Sequence, residues 1–259
     1  MNRVVIIGSG NVAEAFARAL PDAGVEVAQV FARNGARGGA IARIAGCKHT
    51  DNPAEVVAAD LYIAAVSDRA IGEAVLPLEL PAEAVVVHVS GAQPMGVLPE
   101  KFCRRGVLYP LQTFTAGREV DFSEIPLFVE ASDVATLGRL RDFALRLSKN
   151  VYEMDSARRA QIHLTGVFAC NFVNAMYCAG NDIARIAGVP FDILKPMIVE
   201  TARKAVENGD PVRVQTGPAV RNDRVTMERH RELLAAMDGG GTLAEIYGII
   251  SDYIYGKKL

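Results

Sequence analysis

Val4-Val5-Ile6-Ile7-Gly8-Ser9-Gly10-Asn11-Val12-Ala13 is the stretch that sets the fold. The apolar run Val4–Ile7 is short and β-branched, as a strand buried on both faces should be. An amphipathic run, Asn11–Leu20, follows it, and the junction carries a G-x-G-x-x-A pattern. Each small residue has its own reason to be there. Gly8 permits a tight turn, Gly10 lets the backbone approach a pyrophosphate, and Ala13 keeps the helix close to the strand. The N-terminus of that helix then faces negative charge. Gly8, Ser9, Gly10, Asn11 and Val12 are therefore expected to cradle a dinucleotide. As a bare pattern the motif is weak; the strand–turn–helix context at the head of a βαβ unit gives it weight.

Working outward, the same alternation recurs. Strands are predicted at Val4–Ile7, Val25–Phe31, Leu61–Val66, Ala84–Val89, Val107–Tyr109, Pro126–Val129 and Val151–Glu153. Between them lie predicted helices at Asn11–Leu20, Ala36–Ile44, Ile71–Leu76 and Val134–Leu147. Such a pattern builds a parallel sheet covered by helices. Gly24 is placed to close the first helix in a positive-φ conformation. From Ser156 onward strand-like runs stop. One long helix is expected over Ser156–Ala187, then Pro190–Asn208 kinked at Pro196. A polar loop, Gly209–Asp223, precedes helices at Val225–Met237 and Leu243–Tyr255, which flank Gly239-Gly240-Gly241. The expected fold class is α/β: a Rossmann-type parallel-sheet domain over residues 1–154, followed by an all-α domain over 155–259.

The second strand ends in Phe31, and Ala32-Arg33-Asn34 come next. A carboxylate at this point would accept bonds from a ribose 2′-hydroxyl; an arginine suits a 2′-phosphate. Between Gln29 and Ala54 the only acidic residue is Asp51. Ala32, Arg33 and Asn34, with Arg37 in reach, are read as a phosphate site, which favours NADP(H) over NAD(H). A solvated surface arginine is the plainer alternative. Ligands of open α/β sheets lie beyond the carboxyl ends of the strands, so Val66, Ser67 and Ser90 are further cofactor candidates.

Bulk properties narrow the partners. A net charge of -2 over 259 residues provides no field for a nucleic-acid backbone or an anionic membrane. A small-molecule substrate is the expected partner. No secretion signal is read before Val4. Polar residues His163, Thr165, Asn171 and Asn174 interrupt the apolar stretch Ile162–Ala179, so it is expected to be a buried helix and not a membrane span. Its apolar positions face more than one side, so either neighbouring helices or a second subunit must cover it. The expectation is a homodimer through this helix. Cys47, Cys103, Cys170 and Cys178 show no metal-ligand spacing, no metal is expected, and a cytoplasmic location follows.

His88-Val89-Ser90-Gly91-Ala92, Tyr109-Pro110-Leu111-Gln112-Thr113-Phe114, Phe168-Ala169-Cys170-Asn171-Phe172 and Thr216-Gly217-Pro218-Ala219-Val220-Arg221-Asn222-Asp223 occur in this order. Together they resemble a bacterial family of NADP oxidoreductases in which a Rossmann-like domain joins a C-terminal helical domain of unassigned function. That family is similar in layout to pyrroline-5-carboxylate reductase, ketopantoate reductase and 6-phosphogluconate dehydrogenase. The resemblance implies a cleft between the domains, a nicotinamide directed toward the long helix, and commonly a homodimer. Two positions depart from the family pattern: Tyr109 stands for histidine and Asn222 for glycine. Asparagine tolerates the left-handed region, and a tyrosine hydroxyl can donate a proton as histidine can.

Hydride transfer belongs to the cofactor, so the protein must supply a proton and hold the acceptor. His163, Asn171 and Tyr109 are the catalytic candidates. Histidine titrates near neutrality, whereas asparagine can only polarise a carbonyl. Asn174 and Arg221 are substrate-binding candidates, the arginine as a bidentate clamp on a carboxylate. For each, a satisfied structural role competes: a helix-interface histidine, bonded asparagines, a packed tyrosine, an Arg221–Asp223 helix cap. His230 reads as a surface or interhelical residue, and Lys195 and Lys204 lack the Lys-x-x-x-Asn spacing of 3-hydroxyacid dehydrogenases. The expected activity is NADPH-dependent reduction of a small carbonyl or imine compound, with 2-keto acids as candidates. The alternatives are a non-catalytic NADP-binding sensor and an enzyme using NADP as a structural cofactor.

Overall fold

In the computed structural model, residues 1–238 and 241–257 are described. The apolar run near the start becomes strand β1 (Arg3–Ile7), with Val4 to Ile7 all buried. Helix α1 (Asn11–Asp22) follows, then β2 (Glu26–Phe31), α2 (Gly35–Ile44) and β3 (Lys48–Thr50). The pattern continues through β4 (Leu61–Ala64), α3 (Ile71–Val75), β5 (Val85–His88), β6 (Arg104–Pro110), β7 (Leu127–Ala131), α4 (Val134–Ala144) and β8 (Val151–Glu153). The eight strands form one sheet in the order β3-β2-β1-β4-β5-β6-β7-β8. All neighbours are parallel except β6 and β7. Strand order reverses at β1, which pairs with β2 on one side and β4 on the other.

Alternate side chains of the strands feed two cores, one on each face. Val4 and Ile6 pack with Phe16, Leu20, Ile41, Leu140 and Phe143 on the face covered by α1, α2 and α4. Val5 and Ile7 point the other way, toward Ile71, Val75 and Leu78. Burying each such aliphatic or aromatic side chain contributes about 1.5–3 kcal/mol. Gly24 takes φ +68 where the chain turns from α1 into β2, as expected. Strand β3 was not anticipated. Lys48-His49-Thr50 has no apolar signal, and the segment is a strand because its backbone pairs with β2 at the sheet edge.

The long helix is present as an uninterrupted helical run: α5 (Ser156–Gly166), a π-helical turn (Val167–Phe172) and α6 (Val173–Ile186). The chain divides into two compact units within that turn, Met1–Cys170 and Asn171–Leu259. The expected burial of this helix is not found. None of its most apolar 18-residue window is buried, and Leu164 and Ile186 are 54% and 51% exposed. By length and composition alone the run would suffice to cross a membrane.

Beyond α6 the second unit contains α7 (Lys195–Glu207), α8 (Pro218–Arg221), α9 (Arg224–Asp238) and α10 (Thr242–Gly256), and no strand among the described residues. Pro196 does not kink a helix. It sits in the first turn of α7, where its missing N–H costs nothing and its fixed φ suits the start. The expected loop Gly209–Asp223 is not wholly irregular either, since it holds a 3₁₀ turn at Pro211–Val214 and the short α8. Asn222 adopts φ 53, the left-handed conformation it was expected to tolerate. Asp223 accepts from the Thr226 backbone and hydroxyl and so caps α9. His230 is interhelical: its Nδ1 lies 2.9 Å from the Tyr247 hydroxyl. Gly239 and Gly240 lie outside the described residues.

Candidate functional site

At the carboxyl end of β1 the chain must turn sharply into α1, and Gly8 makes this possible. It has φ +118, and a Cβ there would sit 2.3 Å from the Ala65 carbonyl oxygen. Only glycine fits. Its N–H donates to the Phe31 carbonyl at 2.8 Å, tying the turn to the end of β2. Gly10 is the N-cap of α1 and offers no side-chain cap. The first-turn N–H groups are therefore left for an external acceptor, and the helix dipole favours an anion there.

This turn floors a cleft of about 920 Å³ at the point where strand order reverses, large enough for a cofactor-sized ligand. Every residue assigned to the cofactor from sequence lines it: Gly8, Ser9, Gly10, Asn11 and Val12 from the first turn, Ala32, Arg33 and Asn34 beyond β2, Val66 and Ser67 beyond β4, and Ser90 beyond β5. Arg33 is exposed and makes no hydrogen bond or ion pair among the described residues. Asn34 caps α2, its side chain accepting the Arg37 N–H at 3.1 Å. Arg37 itself is engaged elsewhere: its guanidinium pairs with Glu14 at 3.3 Å, and it does not line the cleft. A glycine cradle, an uncapped helix start and an unpaired arginine beyond β2 together fit a dinucleotide bearing a 2′-phosphate.

Sequence reasoning missed other lining residues, among them Asp51, Asp68, Gln112 and Phe114. Gln112 and Phe114 follow β6, which is parallel to β5 and was expected as a strand at Val107–Tyr109, so the strand-end rule applied there would have reached them. Asp51 follows β3, which sequence did not reveal. Asn11 turns out to have a second role, its amide donating to the Phe114 carbonyl at 3.0 Å and fastening that loop to α1.

Next to the cleft, within the first unit, the structure brings Tyr109 and His163 together. The Tyr109 hydroxyl is 3.1 Å from His163 Nδ1. Gly91, one residue past the cleft-lining Ser90, packs against both: a Cβ there would meet Tyr109 Cζ at 2.6 Å and His163 Nδ1 at 2.7 Å. Burial pushes the Tyr109 phenol up to about 12, with Arg159 pulling the other way. At neutral pH it keeps its proton. Behind them, His88 is fully buried. Burial, with a smaller push from the Arg159 charge, lowers it to about 4. It is neutral with a fixed tautomer, because Nδ1 accepts from the Ser90 N–H at 3.2 Å and Nε2 donates to the Pro94 carbonyl at 3.3 Å. Asn171 lies in the π-helical turn and Asn174 on α6; both are exposed members of the second unit, as is Arg221 at the end of α8. Among the described residues there is no cluster of metal-ligating groups.

A mostly parallel sheet with its cleft at the switch point and a glycine turn beneath an uncapped helix defines a dinucleotide-binding fold. The comparisons agree. Residues 3–91 match the family described as NADP oxidoreductase, coenzyme F420-dependent, and residues 125–254 match a domain of unknown function, DUF2520. Among solved structures, one from Bacteroides fragilis, provisionally described as an NADP oxidoreductase, is 37% identical, with a TM-score of 0.90 and 98% of each chain covered. A Thermotoga maritima protein is 20% identical over 98% of this chain and 97% of its own, with a TM-score of 0.72. An Aspergillus terreus reductive aminase, solved with NADPH and ethyl-5-oxohexanoate, is 16% identical over 98% and 92%, with a TM-score of 0.68. The last two show the fold alone. Among curated proteins, none matches the chain in sequence. The chain belongs to the family of NADP oxidoreductases that join such a domain to DUF2520. Its cofactor is NADP(H).

Proposed function

We propose that this protein is an NADPH-dependent reductase of a small carbonyl or imine compound, 2-keto acids included, with Tyr109 as proton donor and His163 as its relay. One observation carries this reading: a tyrosine hydroxyl and a histidine nitrogen 3.1 Å apart, packed on the glycine that follows a cleft-lining residue. When bound, NADPH supplies a hydride. The chain's own work is to bind, orient and protonate. Arg33 would hold the 2′-phosphate and the first turn of α1 the pyrophosphate. Tyr109, protonated at neutral pH, gives its proton to the oxygen or nitrogen that gains charge. His163 then returns one to the phenolic oxygen through Nδ1. Asn171 and Asn174, as exposed amides, and Arg221, as an exposed guanidinium, are read as substrate contacts. A homodimer through the long helix also belongs to this reading, supported by the exposed apolar side chains along it.

The test is NADPH oxidation with a panel of keto acids, ketones, aldehydes and cyclic imines. At least one class should be turned over. Tyr109→Phe and His163→Gln should each lower kcat by roughly 10²–10⁴-fold while leaving the Kd for NADPH unchanged. Tight NADPH binding with no turnover across the panel would leave a sensor, and the reductase reading would be withdrawn.

A further inference from the structure

Between the cofactor cleft and the Tyr109–His163 pair runs one short turn, Ser90–Met95. Ser90 lines the cleft and Gly91 touches the pair, so the position of this turn sets the position of one against the other. Polar groups hold it at several points. His88 takes the Ser90 N–H and gives its own Nε2–H to the Pro94 carbonyl. Within the turn, Ser90 Oγ accepts the Ala92 and Gln93 N–H groups at 3.2 and 3.1 Å, and further holds come from α5. Arg159 Nη2 donates to the Gln93 carbonyl at 2.6 Å, and Ser156 Oγ accepts the Met95 N–H at 3.0 Å. Arg159 Nη1 forms an ion pair with Glu130 of β7, and the Ser156 hydroxyl donates to the same carboxylate at 2.8 Å.

We propose that Arg159 is a positioning residue, the clamp through which α5 fixes the Ser90–Met95 turn and so seats the Tyr109–His163 pair beside the cofactor cleft. The proposal rests on the reductase reading for what that pair does. Sequence spacing puts the clamp and His163 on one helix. Ser156, Arg159 and His163 stand three and four residues apart, which puts them on one helix face.

Energetics argue that the charge is there for geometry. The Arg159 side chain is completely buried, against 18% exposure for Glu130, and its Nε has no hydrogen-bond partner among the described residues. Burying an ion pair costs several kcal/mol per ion in desolvation, and an apolar residue of similar size often anchors a helix as well or better. What an apolar residue cannot do is hold a carbonyl in one direction and a carboxylate in another. The fork of the guanidinium does both. The charge also weighs on both neighbours, disfavouring a second cation on His88 and opposing the effect of burial on Tyr109. A neutral His88 is what the Ser90 N–H requires.

The experiment compares full-length wild type with Arg159→Met, which keeps volume and removes the charge, and Arg159→Lys, which keeps the charge and loses the fork. Three readouts are taken: amide hydrogen exchange at Ser90 and Met95, NMR titration of the His88 ring, and steady-state kinetics on whichever substrate the wild type reduces. In Arg159→Met, exchange at both amides should rise about tenfold or more, and His88 should titrate at higher pH than in wild type. The kcat should fall roughly a hundredfold, with KM for NADPH unchanged within about threefold. Arg159→Lys should restore the His88 titration but not the slow exchange.

A folded Arg159→Met protein with wild-type exchange overturns the proposal, and so does a loss of NADPH affinity as large as the loss of kcat. If Arg159→Met does not fold, Arg159→Lys decides: it keeps the charge and loses the fork. Faster exchange at Ser90 and Met95, with His88 unchanged, supports the clamp; full protection there refutes it. Wild-type protein that binds NADPH and reduces nothing sinks the reductase reading, while the exchange and titration results still decide the clamp.

Discussion

His88 makes the chain's stability fall in mildly acidic solution. In the unfolded chain its ring titrates near the ordinary 6.5; in the fold it titrates at about 4. Between these values the unfolded state binds a proton that the folded state refuses, so stability decreases as pH falls from about 6.5 to about 4. Above 6.5 the full contribution is present; below 4 it is gone. At about 1.4 kcal/mol per pH unit, the loss is roughly 3 kcal/mol. The cause is structural as well as electrostatic. A proton on Nδ1 would displace the Ser90 N–H from its acceptor and place a cation near Arg159. The perturbation is His88→Gln, whose amide can both donate to Pro94 and accept from Ser90 but cannot ionise. Urea unfolding of both proteins is followed from pH 7 to pH 4 at one fixed protein concentration, since any dimer would couple stability to concentration. Carboxylate titrations are common to both and cancel in the difference. The stability advantage of wild type over variant should shrink by about 3 kcal/mol across that range. Two curves that stay parallel would refute the reasoning.

Three further outcomes are expected. Gly8→Ala should abolish NADPH binding or the fold itself, because a Cβ would meet the Ala65 carbonyl oxygen at 2.3 Å at a φ of +118; an alanine variant that binds normally by calorimetry would show that the turn is not the cradle. Arg33→Ala should weaken NADPH by about 10–100-fold and NADH hardly at all, and equal losses for the two would remove the 2′-phosphate role. Sedimentation should give about twice the 27.8 kDa chain mass, falling to the single-chain value in Ile186→Asp; a monomeric wild type would end the dimer proposal.

Much of the cofactor cleft was legible in the sequence because its makers are local. A run such as Val4–Ile7, a turn that only Gly8 can make and a helix start at Asn11 each express their physics within a few residues. So does the arginine at position 33, two residues past the end of β2. The edge strand β3 was not legible, since Lys48-His49-Thr50 is a strand only by its pairing with β2. Asp51 was lost with it. Proline was misread at position 196 because the same residue breaks a helix interior and favours a helix start. Which of the two applies depends on where the preceding 3₁₀ turn, Phe191–Leu194, ends.

What the sequence determined by itself was the alternating strand–helix order, the cofactor turn and the all-α second half, because periodicity and glycine positions act over short stretches of chain. What only the tertiary structure decided was which polar residues meet. Tyr109 and His163 are 54 positions apart, and Arg159 finds Gln93 across 66. No spacing rule predicts such contacts. They arise because the fold brings α5 beside Tyr109 of β6, Glu130 of β7 and the Ser90–Met95 turn, and a buried polar group left without a partner is expensive.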